Sequence, residues 1–260
     1  MPLSAALPMV PLDPAFLARP IAHRALHDKA HRRPENSRAA IRAAIARGYG
    51  IEIDLQLSLD GEAMVFHDSE LSRLTREHGP IGQRTTDELT GIALRHSNGE
   101  TIPTLPEILS LIGGRVPLMI EIKDQDGAMG ANVGPLELAT ADALIDYPGP
   151  VACMSFNPHS VAMIGQLSPD IARGLITCGY TAEDWPDLPA TTRVHLRKIA
   201  DYTTLGASFV SHNANNLHNP RLQELRDLGA VILTWTVTSR NQGARALLWA
   251  DNITFENYLA

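Results

Sequence analysis

Two short stretches of this chain alternate charge with aliphatic bulk. In Ile51-Glu52-Ile53-Asp54-Leu55 a carboxylate recurs at every second residue, and in Ile120-Glu121-Ile122-Lys123 a carboxylate is followed two residues on by an ammonium. A β-strand sends successive side chains to opposite faces, so Glu52 shares a face with Asp54, and Glu121 shares one with Lys123. Burying several carboxylates together is costly unless one stays protonated or a cation joins them. An all-oxygen set of Glu52, Asp54 and Glu121 suits one hard divalent cation, Mg²⁺ or Ca²⁺, better than zinc, which usually recruits His or Cys. Taken singly, either segment is as readily a solvated strand face; together they point to a metal site.

Two histidines and a further cation stand at the ends of apolar runs. His23 and Arg24 close the first run and His67 closes another. Imidazoles exchange protons near neutral pH, whereas Arg24 and Lys123 can neutralise a phosphate without giving up a proton. The set therefore predicts phosphoryl chemistry, with His23 and His67 as acid and base. His27 and His31, four apart in a charged stretch, read as a solvated loop rather than as a metal pair.

These groups need a scaffold that brings several strand ends together. Apolar, β-branched runs alternate with helix-period segments from Pro20 almost to the C-terminus, the pattern of a parallel α/β fold. Barrel strands are predicted at Pro20–Arg24, Gly50–Leu57, Leu118–Lys123, Val151–Phe156, Ala172–Ile176, Ala207–Ser211, Val231–Val237 and Asn252–Phe255. Eight parallel strands and a length of 260 residues fit one TIM-type (β/α)8 barrel domain over 1–260. Helices are predicted from an Asn36 N-cap to Gly48, and at Leu136–Asp146, Pro158–Gln166, Thr191–Tyr202, Pro220–Leu228 and Arg240–Trp249. After the second strand, Asp60-Gly61 is too short a link for a parallel return, so Ala63–His67 forms an antiparallel hairpin; a two-residue turn would set His67 opposite Asp54. The hairpin and short helices at Thr86–Ala93 and Leu105–Ile112 make an insertion over about 58–116, placed to shape the rim of the site.

Composition sets outer limits. Apolar residues at 44% and charged residues at 20% are ordinary for a globular chain. A formal charge of −7 with scattered Lys and Arg disfavours nucleic acid as a partner, so any anionic substrate must be held locally. Cys153 and Cys178 provide neither a disulfide framework nor a thiolate metal site. The segment Met1–Pro14 lacks a basic flank and is broken by prolines, a poor secretory signal. No apolar run approaches the roughly 18 residues that span a bilayer. A cytoplasmic protein without stable membrane attachment is expected; nothing in the sequence sets the oligomeric state.

In the order IAHR, PEN, IEIDLQLSLDG, VFHDSELSRLT, IPTLPEIL and IEIK, and more thinly at MSFNP and TWTV, the chain resembles the glycerophosphodiester phosphodiesterase family. The resemblance implies that Glu52, Asp54 and Glu121 hold the metal, that His23 and His67 exchange protons, and that Arg24 and Lys123 bind phosphate. It implies metal-dependent hydrolysis of a glycerophosphodiester, the small-molecule partner, to sn-glycerol 3-phosphate and an alcohol. Glu35 of the PEN segment reads as support for the first loop, and Phe156 and Trp235 as packing or substrate contacts. The chain departs from the family at Ala25, where glycine is usual, and at Thr254-Phe255-Glu256, where Thr-Asp is common. Two other readings remain beside this one: a phosphodiesterase of lysophospholipids or sugar phosphodiesters, and a catalytically silent phosphate-binding protein.

Overall fold

In the computed structural model, which describes residues 6–260, the chain after Ile21 winds alternately through strand and helix. Part of the proline-broken leader falls on residues 1–5 and lies outside the described residues. A short helix α1 (Ala15–Ala18) precedes β1 (Ile21–Ala22), then α2 (Arg38–Arg47), β2 (Gly50–Leu57), β3 (Ala63–Val65), α3 (Thr86–Gly91), α4 (Leu105–Ile112) and β4 (Leu118–Ile122). The second half runs α5 (Pro135–Leu144), β5 (Val151–Ser155), α6 (Pro158–Leu167), β6 (Ala172–Thr177), α7 (Ala190–Arg197) and β7 (Phe209–Asn213). It closes with α8 (Pro220–Asp227), β8 (Val231–Val237), α9 (Arg240–Ala246) and β9 (Asn252–Phe255). Every strand but β3 pairs parallel with its neighbours, and β1 pairs with both β9 and β2, so eight strands close a barrel. No helix among the described residues is long and apolar enough to cross a membrane.

Two apolar layers follow from the strand period of two. Ile51, Ile53, Leu55, Ile120 and Ile122 face the helices in one large core, whereas Ile21, Met119, Met154, Ile176 and Phe209 fill the barrel interior. The interior is closed from below by Leu12 and by Phe16, which is fully buried and whose carbonyl accepts from the Asn252 amide at 2.6 Å. With the lower barrel packed in this way, the inward residues one and two layers higher, at the C-terminal strand ends, are left to form the site.

Several local expectations are corrected. The β1 ladder has two residues rather than five, because Arg24 (φ 51°) and Ala25 (φ 62°) are left-handed and turn the chain off the sheet after His23. Ser37, not Asn36, caps α2: its hydroxyl accepts from the Ala40 amide at 3.2 Å, while Asn36 is itself left-handed (φ 57°). The strand predicted at Ala207–Ser211 instead occupies Phe209–Asn213, since Gly206 (φ 59°) first has to bring the chain under the Arg173 side chain. The helix predicted at Thr191–Tyr202 ends at Arg197, just before Ile199 turns left-handed.

The hairpin register is also corrected. Leu55 pairs with Val65 and Leu57 with Ala63, and the Phe66 amide donates to the Asp54 carbonyl at 3.0 Å, so Phe66 rather than His67 stands opposite Asp54. Ser58 and Glu62 bracket a three-residue loop whose left-handed member is Gly61 (φ 90°), one residue longer than a two-residue turn. The segment that follows has its own apolar cluster, including Met64, Phe66, Leu71, Leu74 and Ile81, which fixes it against the rim.

Candidate functional site

Register brings the acids together. Asp54 and Glu121 are direct partners across the β2–β4 ladder, and Glu52 lies one inward step below Asp54. All three are buried, and each offers a carboxylate oxygen within 4.8 Å of the other two. Lys123, two residues beyond Glu121, puts its ammonium 2.6 Å from Glu121 Oε1 and 2.7 Å from Asp54 Oδ1. The first contact is a hydrogen bond; the second is an ion pair, since its direction leaves Asp54 Oδ1 without a formal hydrogen-bond donor. Glu52 Oε2 accepts from the Arg24 backbone amide at 2.7 Å, and Glu52 Oε1 is buried with no partner.

The electrostatics divide the three acids. Burial, with Asp54 and Glu121 alongside, pushes the Glu52 carboxyl well above the ordinary carboxylate range. Burial pushes Asp54 the same way, but Lys123 first, and then His67, Arg24 and His23, outweigh it and hold Asp54 far below that range. One ammonium thus serves two of the acids and leaves the third, with an orphaned oxygen, unneutralised. A buried oxygen-only donor set with an excess of negative charge fits a hard divalent cation.

The loop after β1 approaches these acids through its backbone. The double left-handed turn at Arg24-Ala25 aims the Arg24 amide at Glu52 and the Ala25 amide at the Glu52 carbonyl, 2.9 Å away. Ala25 holds this left-handed conformation with a Cβ, at a cost of roughly 1 kcal/mol. Asn36 donates its side-chain amide to Asp54 Oδ2 at 2.9 Å, a role that its misassignment as a helix cap concealed. The Arg24 guanidinium donates to Glu35 Oε1 at 2.8 Å and lies 3.6 Å from Asp54.

Each histidine of the predicted pair has its own carboxylate. His23 Nδ1 is 2.7 Å from Glu256 Oε2, and His67 Nδ1 is 2.6 Å from Asp68 Oδ1. With Nδ1 donating, Nε2 is the nitrogen left to act on a substrate. Burial pulls the His23 pKa below its ordinary value, and the Glu256 hydrogen bond resists that pull. The hydrogen bond from His23, followed by that from His27 at 3.4 Å, holds Glu256 far below the carboxylate range. Arg73 binds Glu35 through both terminal nitrogens, at 2.8 and 2.7 Å, and also donates to Asp68. One guanidinium therefore joins the carboxylate that orients His67 to the one that orients Arg24.

All seven predicted central residues, His23, Arg24, Glu52, Asp54, His67, Glu121 and Lys123, converge at the barrel mouth. Glu35 supports the first loop through Arg24, and Phe156 and Trp235 meet edge to face, with centroids 5.5 Å apart, on the wall of the same cavity. His27 turns to Glu256 and His31 to Asp28. Sequence reading missed Glu256, Asp68, Arg73 and the true place of Asn36. Asp68 and Arg73 were visible in the VFHDSELSRLT segment, and Asn36 in PEN, but nothing local marked Glu256, which lies 233 residues from its histidine.

A closed parallel barrel whose C-terminal mouth joins a buried carboxylate cluster to two carboxylate-held histidines has the architecture of an enzyme site. A model of the glycerophosphoryl diester phosphodiesterase family matches residues 23–252, and the chain belongs to that family. A glycerophosphodiester phosphodiesterase of Caldanaerobacter subterraneus subsp. tengcongensis is 32% identical over 159 residues, a match covering 58% of this chain and 65% of that protein. Another, from Bacillus subtilis, is 26% identical over 224 residues, or 80% of this chain and 73% of that one. The fold superposes with a TM-score of 0.74 on an Oleispira antarctica phosphodiesterase solved in complex with the product sn-glycerol-3-phosphate, at 24% identity over 94% of each chain.

Proposed function

We propose that this protein hydrolyses glycerophosphodiesters to sn-glycerol 3-phosphate and an alcohol. The observation that carries the reading is the pairing of each histidine with its own carboxylate beside a buried three-carboxylate cluster. That is an acid and a base held next to a place for one divalent cation. Glu52, Asp54 and Glu121 would hold the cation. When bound, it supplies Lewis-acid stabilisation of charge on the phosphoryl oxygens.

The chain's own groups do the rest. Arg24 and Lys123 balance the anionic phosphate, and both are fixed by carboxylates rather than left to swing. Glu256 and Asp68 set the ring orientation and tautomer of His23 and His67, so that one Nε2 can take a proton while the other delivers one to the departing alkoxide. Phe156 and Trp235 exclude water on one side of the mouth and offer an apolar wall to the glycerol carbons. Magnesium or calcium suits the oxygen donors, and glycerophosphocholine, glycerophosphoethanolamine and glycerophosphoglycerol are suitable test substrates.

The decisive experiment measures glycerol phosphate released from such a panel by metal-stripped protein and by protein reloaded with Mg²⁺ or Ca²⁺. Turnover that disappears on stripping and returns on reloading supports the reading. Full activity without metal, or faster cleavage of phosphodiesters that lack glycerol, overturns it.

A further inference from the structure

The hydrolysis reading leaves one part of the mouth without a role. A cleft of about 730 Å³ opens between the loop after β1 and the chain end after β9. His23, Arg24 and Thr236 line both this cleft and the smaller cavity, about 100 Å³, that holds Glu52, His67, Glu121 and Lys123. The two therefore adjoin across these residues, and the cleft is the space next to the centre into which a group esterified to a phosphate there can extend. A three-carbon glycerol needs far less room than the cleft offers, and Phe156 and Trp235 on the wall of the smaller cavity give it an apolar face to lie against.

The cleft wall is positive on an acidic protein. Arg24, Lys29, Arg33 and Arg73 face only Asp28, Glu35 and Glu256, whereas the chain as a whole carries −7. The carboxylates are already engaged: Glu35 by Arg24 and Arg73, Glu256 by His23 and His27, and Asp28 by His31 at 2.6 Å and by the Ala30 and His31 amides. That leaves one cation in excess, Lys29, and a second, Arg33, only loosely held. Lys29 is exposed at the rim and enters no ion pair among the described residues. Arg33 reaches Asp28 only at 3.4 Å, and its Nε is buried without a partner. The capped turn Lys29–His31 and the Asp28–Arg33 bridge hold both side chains on the same loop.

We propose that this cleft is the subsite for the leaving alcohol, and that Lys29 and Arg33 make it prefer alcohols bearing a second phosphate over neutral or cationic ones. The proposal rests on the hydrolysis reading above and deepens it by naming the substrate class. The central residues, which all converge on the phosphate, would by themselves discriminate little among head groups; Lys29 and Arg33 add the discrimination. A charged hydrogen bond in a partly enclosed site discriminates by about tenfold, and screening by salt reduces it.

The test uses two matched pairs: glycerophosphoinositol with glycerophosphoinositol 4-phosphate, and glycerophosphoglycerol with bis(glycerophospho)glycerol. In the metal-loaded enzyme at low ionic strength, the member with the extra phosphate should have about tenfold higher kcat/KM in at least one pair, a ratio that shrinks as salt is added. Lys29→Glu should bring that ratio to one or below, and Arg33→Gln should reduce it. Lys29 is exposed, so its variant tests the idea even if Arg33→Gln disturbs the loop. The proposal is overturned if neither pair shows the preference, or if Lys29→Glu leaves it undiminished. Hydrolysis of every glycerophosphodiester at similar rates would sink this proposal alone, whereas hydrolysis of none would sink the reading beneath it as well.

Discussion

At the scale of single residues, the proposed mechanism gives the proton transfers to the two histidines, each of which is held by one carboxylate. His23→Ala and His67→Ala should each lower turnover by about 10²- to 10⁴-fold with the fold intact. The double variant should lose less than the product of the two, because groups acting as a unit are not additive. Steady-state kinetics on all three proteins check both statements. Glu256 can be isolated by pH. Its hydrogen bond resists the burial that lowers the His23 pKa, so Glu256→Gln should lower that pKa further. Whether His23 takes or gives the proton, the limb of the pH–rate profile it controls moves to lower pH, and an NMR titration of the ring should move with it. A folded-state pKa below the ordinary 6.5 also means that the His23 contribution to stability is present above 6.5 and is lost as pH falls from there through the lowered folded-state pKa.

At the scale of elements, β2 and β4 build the acid cluster, and the segment after β3 braces it. Arg73 spans Glu35 and Asp68, so Arg73→Ala should loosen Arg24 and His67 together. A loss of about 10- to 100-fold in kcat/KM is expected, with partial recovery in Arg73→Lys. A loss no larger than that of an exposed control arginine would show that the brace is idle. In β2, Glu52 is a stability liability without metal. Its pKa, raised above the ordinary 4.5, means that the metal-free protein is most stable where Glu52 is protonated and loses stability as pH rises past that value. Glu52→Gln should flatten this slope and make the metal-free protein more stable at neutral pH by about 1 kcal/mol. It should also remove most of the stabilisation that metal confers, about 2.7 kcal/mol at a hundredfold excess over Kd for the wild type. Thermal melts with and without Mg²⁺ or Ca²⁺ distinguish these effects.

At the scale of the whole molecule, the barrel is a packed plug below and a polar mouth above. Phe209 lies directly over Gly174 on the neighbouring strand, where even a Cβ would meet the ring. Gly174→Ala should therefore destabilise the protein by about 1–3 kcal/mol through overpacking, visible as a lower denaturation midpoint. The metal-loaded variant should keep its kcat well below that midpoint, because the clash lies beneath the reactive layer. The same closure gives an acidic protein a locally positive cleft, which can draw anionic substrate towards the mouth even though the whole chain repels it.

The sequence by itself determined what depends on short-range periodicity. Alternation in 51–55 and 120–123 placed Glu52, Asp54, Glu121 and Lys123 on shared faces, and the regular succession of strands and helices predicted the closed barrel. These features survive because an i, i+2 relation is fixed by the strand itself and needs no knowledge of the neighbours. Only the tertiary structure decided what depends on register and closure. One extra loop residue moved His67 off Asp54, a pair of left-handed residues shortened β1 and turned the Arg24 amide towards Glu52, and closure of β9 onto β1 brought Glu256 to His23. A carboxylate at the far end of the chain has no local mark that names its partner. Its role is set by where the eighth strand meets the first, because chain ends remote in sequence become neighbours only when the barrel shuts.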